Sequence, residues 1–175
     1  IQAEYDSAPL KNNDRMAYLA GARWQATAFT SGAVRVGYEE QSFDEPGKGD
    51  ENALVWELGV TWQPRSFTTV DLSTGQSLED GDSGARSNTQ TRYGLNWSLD
   101  WAGPVSTSFG VTRTNDDYDN ARDDDNTTFS AELGVQLARS ANVGVRYSYT
   151  DKGSTLPDEK YDRERIGVFL DLGLS

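Results

Sequence analysis

The chain has 175 residues, with 16 Lys and Arg against 28 Asp and Glu, a formal net charge of -12 and a pI near 4.3. That balance repels nucleic-acid phosphates and excludes a DNA or RNA partner as the working assumption. With no Cys and no His, the chain has no disulfide framework, no thiolate metal site and none of the commonest general base, which argues against an enzyme.

A period of 3.6 finds no convincing apolar stripe, whereas a period of 2 recurs along the whole chain. The first alternation, 16–28, sets Tyr18, Ala20, Ala22, Trp24 and Ala26 against Gly21, Arg23 and Gln25. A short turn at 29–32 leads into 33–43, where Val34, Val36 and Tyr38 oppose Arg35, Gly37, Glu39 and Gln41. An acidic link at 44–52 precedes the clearest case, 53–62, with Leu54, Trp56, Leu58, Val60 and Trp62 against Val55, Glu57, Gly59 and Thr61. After a turn at 63–65, the weaker stripe of 66–78 places Thr68, Val70 and Leu72 opposite Asp71, Ser73 and Gly75.

A second acidic link, 79–88, separates this hairpin from 92–101, where Tyr93, Leu95, Trp97, Leu99 and Trp101 oppose Arg92, Gly94, Asn96, Ser98 and Asp100. The turn 102–104 opens 105–114, with Val105, Thr107, Phe109 and Val111 against Ser106, Ser108, Gly110 and Thr112. Beyond the acidic link 115–126, strand 127–138 sets Phe129, Ala131, Leu133, Val135 and Leu137 against Ser130, Glu132, Gly134 and Gln136. The turn 139–141 leads to Val143, Val145, Tyr147 and Tyr149 opposing Gly144, Arg146 and Ser148. After a last link, 151–160, Ile166, Val168, Leu170, Leu172 and Leu174 oppose Gly167, Phe169, Asp171 and Gly173. The stretch 7–15 behaves as a further long link.

Short turns alternating with long acidic links predict an all-β fold, an antiparallel up-and-down transmembrane β-barrel in an outer membrane, with the carboxyl terminus on the periplasmic side. Nine strands are visible, and bacterial barrels are typically even-numbered, so either 1–6 adds a tenth strand or more strands lie upstream. The second is the expectation. Residues 1–175 then form one barrel domain or its C-terminal portion. The start at 1–9 lacks the basic and apolar regions of a signal peptide, as in a mature chain or an excised fragment.

Three features favour lipid over the dry core of a soluble β-sandwich. The stripes are five alternate residues long, a span of about 20 Å at a tilt near 40°. Aromatic residues gather near strand ends: Trp24, Trp62, Trp97 and Trp101 towards the short turns, and Tyr18, Tyr38, Trp56, Tyr93 and Tyr149 towards the long links. Rings with one apolar and one hydrogen-bonding end favour the headgroup boundary, so two aromatic girdles are expected. The opposite face carries Arg35, Glu39, Glu57, Asp71, Arg92, Glu132 and Arg146 among repeated Gly, which suits a wet or ion-paired lumen. These charges either line a conduction path or pair across strands and stiffen the wall.

The stretches YLAGARWQATAFTSGAVRVGYEEQSFD, WELGVTWQPRSFTTVDLST, YGLNWSLDWAGPVSTSFGVTRTNDDY and the closing VGVRYSYTDKGS and YDRERIGVFLDLGLS resemble the outer-membrane β-barrel porins associated with exopolysaccharide loci, the beta-barrel porin 2 type. The resemblance covers nearly the whole chain. It rests on structural motifs such as the Trp-x-Pro-Arg turn at Trp62 to Arg65 and the strand end Tyr147 to Asp151. It implies a Gram-negative outer-membrane barrel with a longer parent chain and a role in polysaccharide secretion or surface assembly, with no catalytic residue to transfer. One departure is the ending Leu172-Gly173-Leu174-Ser175, which lacks the terminal aromatic of many outer-membrane barrels and implies a trimmed terminus or a weaker assembly signal.

Asp117, Asp119, Asp123 and Asp125 lie in the most acidic link, which reads either as a collector of Ca²⁺ or, lacking EF-hand spacing, as a solvated external loop with no metal. The expected partners are outer-membrane lipid and a polysaccharide, with an oligomer or self-assembly as a further possibility. A pore or scaffold for polysaccharide export is thus the expected function. A filament-forming barrel displaying acidic loops, and a soluble secreted sugar-binding sandwich, are its rivals.

Overall fold

The computed structural model describes residues 2–3, 13–43, 51–80 and 87–173, nearly all of them in strands. Ten strands form one sheet in chain order: β1 (Gln2–Ala3), β2 (Asn13–Thr27), β3 (Thr30–Phe43), β4 (Glu51–Arg65), β5 (Thr68–Asp80), β6 (Ser87–Asp100), β7 (Val105–Tyr118), β8 (Asp123–Ala138), β9 (Ala141–Ser154) and β10 (Tyr161–Leu172). Each long strand pairs antiparallel with its sequence neighbours, and the nine alternating segments correspond one to one with β2–β10. β1 contributes two paired positions, Gln2 with Asp14 and Ala3 with Asn13, and so is no full crossing among the described residues.

The strands run past the apolar stripes on the long-link side, which corrects the loop boundaries read from the sequence. Residues 115–118, 123–126 and 151–154 are strand, leaving only 119–122 and 155–160 as connections at those two sites. The reason is that a backbone ladder needs no apolar side chain. Asn115 still pairs with Asp125, and Asp151 with Thr127, once both faces have turned polar. The links at 44–50 and 81–86, and most of 7–15, lie outside the described residues.

At the other end the turn expected at 63–65 is displaced to 66–67. Pro64 cannot donate to a ladder, and it sits inside the register shift between Trp62 and Arg65 rather than ending the strand. Similar shifts lie at Gln25/Thr27 and Gln136/Ala138, each beside a short turn. In the turn between β6 and β7, Gly103 has φ +103, a backbone conformation that favours glycine.

Opposed residues of an antiparallel pair project to the same side, so the register sorts the sheet into two faces. One carries Trp24, Val36, Leu58, Leu72, Leu95, Phe109, Leu133, Val145 and Val168; the other carries Arg35, Glu57, Asp71, Arg92, Glu132 and Arg146. Among the described residues the only buried large apolar side chains are Val55 and Leu78, 5% and 3% exposed, whereas Ile166 and Val168 are each 77% exposed. A water-soluble sandwich would invert that distribution. The sheet is open: among the described residues β10 pairs only with β9, and the far edge of β2 meets only β1.

Candidate functional site

The polar face is a grid set by register. Arg35 lies directly opposite Glu57, and its Nε donates to Glu57 Oε2 at 3.0 Å while Nη2 makes a second contact with the same oxygen. Four strands away, Arg146 lies opposite Glu132, with Nε and Nη2 at 2.7 and 2.6 Å from Oε2. Both pairs are solvent-exposed, so each contributes little to stability, on the order of 0–1 kcal/mol. Asp71 accepts a hydrogen bond from Thr61 Oγ1 at 2.7 Å, and Arg92 Nη2 donates to Gln90 Oε1 at 2.8 Å. Glu39 is buried near the long-loop end of β3.

A denser group stands at the long-loop rim, on the same face, where β7, β8 and β9 extend beyond the apolar stripes. Arg122, in the connection 119–122, donates from Nε to Asp124 Oδ1 at 3.0 Å and from Nη2 to Oδ2 at 2.5 Å, with its guanidinium 4.6 Å above the Tyr118 ring. Lys152 approaches Asp124 at 3.2 Å and Glu159, in the 3₁₀ turn Pro157–Glu159, at 3.3 Å. Ser154 Oγ donates to Asp124 Oδ1 at 2.5 Å. Arg122 and Asp124 are 4% and 3% exposed. Burial works against the Asp124 carboxylate, but hydrogen bonds from Arg122, Ser154 and Lys152 outweigh it and hold its pKa at about 2. Burial likewise disfavours the Lys152 ammonium, yet its bonds to Asp124 and Glu159 raise its pKa. The group ties the β7–β8 connection to the β9–β10 connection.

The apolar face carries the residues expected in the girdles. Trp24, Trp62, Trp97 and Trp101 lie near the short turns, and Tyr18, Tyr38, Trp56, Tyr93 and Tyr149 towards the long-loop side, the first four of these five strands being β2, β3, β4 and β6. Indole N–H groups reach across strands: Trp97 Nε1 donates to Thr68 Oγ1 at 2.9 Å and Trp101 Nε1 to Thr107 Oγ1 at 3.0 Å. One register row on this face passes Trp24, Gly32, Val60, Leu72, Leu95, Val111, Phe129, Tyr149 and Glu164. It starts at the short-turn end of the β2 stripe and leaves the β10 stripe at its long-loop end. Crossing nine strands, the row advances about 38 Å while traversing a stripe about 26–30 Å long, so the strands tilt by about 35–40° and the apolar band is about 20–25 Å high. A level band of that height on strands of that tilt matches the apolar belt of a transmembrane barrel, about 25 Å on strands tilted about 35–45°.

The family model "Putative beta-barrel porin 2" matches residues 2–173. The chain belongs to this beta-barrel porin family. No curated protein and no solved structure matches it. Membership places this porin chain in a membrane, crossed by strands; none of its described residues forms a helix long and apolar enough to cross one.

For this porin the seven charges singled out on alternation alone all fall on the polar face, where the structure joins Arg35 with Glu57 and Glu132 with Arg146. The acidic link is corrected. Asp124 is no solvated loop residue but a buried strand residue paired with Arg122. Asp117 and Asp123 stand opposite one another on the apolar side of the ladder, and their mutual hydrogen bond raises the Asp123 pKa. Asp125 pairs with Arg113 at 3.0 Å, Asp119 lies in the turn, and no trio of acidic groups among the described residues is close enough to hold a metal. Sequence reasoning missed Arg122, Lys152, Ser154 and Glu159. The one available signal was the lone cation Arg122 within an otherwise acidic run.

Proposed function

We propose that this porin chain forms the wall of an outer-membrane passage, with its short turns in the periplasm and its acidic long loops outside. The observation that supports it best is the inversion of the two faces: apolar side chains exposed outwards in a level band, and arginine–glutamate pairs turned inwards. A wall made only to anchor would gain more from apolar packing on its inner face than from ion pairs that stabilise little. The resemblance to porins of exopolysaccharide loci supports a polysaccharide as the exported cargo. The reading assigns no catalytic step and requires no cofactor. In planar bilayers, the full-length protein is expected to give stable conductance steps, together with heat-modifiable migration on gels; a heat-modifiable barrel that never conducts would sink it.

A scaffold reading draws on the opposed carboxylates Asp117 and Asp123, which lie outside the band where divalent cations could cross-link neighbouring barrels. It expects ordered assemblies that form with Ca²⁺ and dissolve with chelator, without conductance.

A further inference from the structure

The polar face between β2 and β6 holds a concavity of about 930 Å³. Its floor is made of small residues, Gly21, Ala33, Gly59, Ser73 and Gly75. At Gly21 the small residue is required by packing, since a Cβ there would meet Arg35 Cγ and the Val34 carbonyl oxygen, each at 2.8 Å. At Gly59 it is not: a Cβ would find nothing within 4 Å. Packing therefore leaves the space above Gly59 open. Around this floor stand three arginines, Arg23, Arg35 and Arg92, and two carboxylates, Glu57 and Glu79, the second of which accepts a hydrogen bond from Ser77 Oγ at 2.9 Å. Arg35 is neutralised by Glu57. Among the described residues, neither Arg23 nor Arg92 has a carboxylate partner, and Arg92 is held by the neutral amide oxygen of Gln90. A protein with a net charge of -12 thus keeps in one basin of its polar face three arginines against two carboxylates, an excess of positive charge, and two of these arginines have no carboxylate partner among the described residues.

We propose that this basin is an anion-binding subsite of the lumen, taking carboxylate-bearing solutes such as uronate sugars. A guanidinium presents a planar fork of donors that matches a carboxylate in two parallel hydrogen bonds, and it stays charged at every physiological pH. Arg92, steered by Gln90, and Arg23, nearer the short turns, offer two such forks at different depths, so a polymer of repeated carboxylates can move from one to the other. The open floor at Gly59 leaves room for the ring that carries the anion. The proposal rests on the passage reading for its biological meaning, but the binding itself can be measured without any conductance.

The test uses the full-length barrel in zwitterionic detergent, titrated calorimetrically with sodium glucuronate and, as the neutral control, with glucose. Glucuronate is expected to bind and glucose not to. Each of Arg23→Gln and Arg92→Gln is expected to weaken binding by about tenfold. Gly59→Glu, which adds a carboxylate where the space is open, is expected to abolish it. Arg113→Gln removes the same charge from the opposite face and is expected to change nothing. Equal affinity for glucuronate and glucose, or binding that survives the Arg23→Gln/Arg92→Gln double variant, overturns the basin. In bilayers the double variant is expected to shift the reversal potential in a KCl gradient towards potassium, most strongly at low salt where charges are least screened. Glucuronate binding without conductance keeps the basin and sinks the passage; conductance with an unchanged reversal potential and unchanged binding keeps the passage and sinks the basin.

Discussion

Arg122 and Asp124 show how one residue pair can order two connections. Both are buried, and removing Arg122 takes away two of the hydrogen bonds that hold Asp124 while leaving Lys152 as its remaining cation, a loss of about 1–3 kcal/mol. Arg122→Ala is therefore expected to release the connections 119–122 and 155–160 together, seen as new protease cleavage and faster amide exchange there, while exchange in the rest of β8 and β9 stays slow. Cleavage confined to 119–122 would show that Glu159 and Lys152 do not couple the two. The pair is not fully satisfied, because Arg122 Nη1 is buried without a partner among the described residues, so replacing both side chains by apolar ones should cost less than removing either alone. The pH dependence follows from Asp124, whose pKa falls from 3.8 to about 2 on folding. A depressed carboxyl pKa adds stability above its unfolded value and loses it as pH falls through the folded one, here about 2 kcal/mol lost between roughly pH 4 and 2. The protection of the amides at 119–122, taken relative to their intrinsic exchange rates at each pH, should therefore fall below pH 4, and that fall should vanish in Asp124→Asn.

At the scale of the strand, two faces with opposite surroundings make opposite demands. Leu95 sits at mid-band on the apolar face of β6, so Leu95→Arg is expected to cost about 2–4 kcal/mol in refolding titrations into lipid vesicles. Ser108, on the polar face of β7 opposite Ser98, should accept Ser108→Arg with little change, because a long charged side chain there reaches water. Equal costs at the two positions would mean that the apolar face does not meet hydrocarbon. The strands also overshoot the band on the long-loop side, where register-paired Asn, Asp and Thr continue the backbone ladder and polar side chains bond across it, as Asn88 Nδ2 does to Asp116 Oδ1 at 3.0 Å. These extensions raise the clamp of Arg122, Asp124 and Lys152 clear of the bilayer, where its charges can stay ionised.

For the whole molecule, the open sheet carries a topological constraint. β2 and β10 are separated by an odd number of strands and run in the same direction, so no antiparallel ladder can join them. Unpaired backbone groups are intolerable in hydrocarbon, so closure by antiparallel pairing requires an odd number of further strands between these edges. In the closed full-length barrel, a disulfide is expected between Leu95→Cys and Val111→Cys, which are opposed in the register, and not between Ala20→Cys and Val168→Cys at the two edges. Efficient cross-linking of the edge pair would reveal direct parallel closure instead.

Alternation with a period of 2, with short and long links between the segments, was enough to place nine strands, their order and the face of the side chains that the register pairs, because in a strand the direction of a side chain is set by parity and parity is a local property. Loop boundaries were misread where the ladder continues through polar residues, since hydrogen bonding between backbones leaves no mark on side-chain pattern. The pairing of Arg35 with Glu57 and of Arg146 with Glu132, the burial of Arg122 and Asp124, and the basin shared by Arg23 and Arg92 depend on cross-strand register and on how connections fold over the rim. Those are relations between residues distant in the chain, and only the assembled sheet decides them.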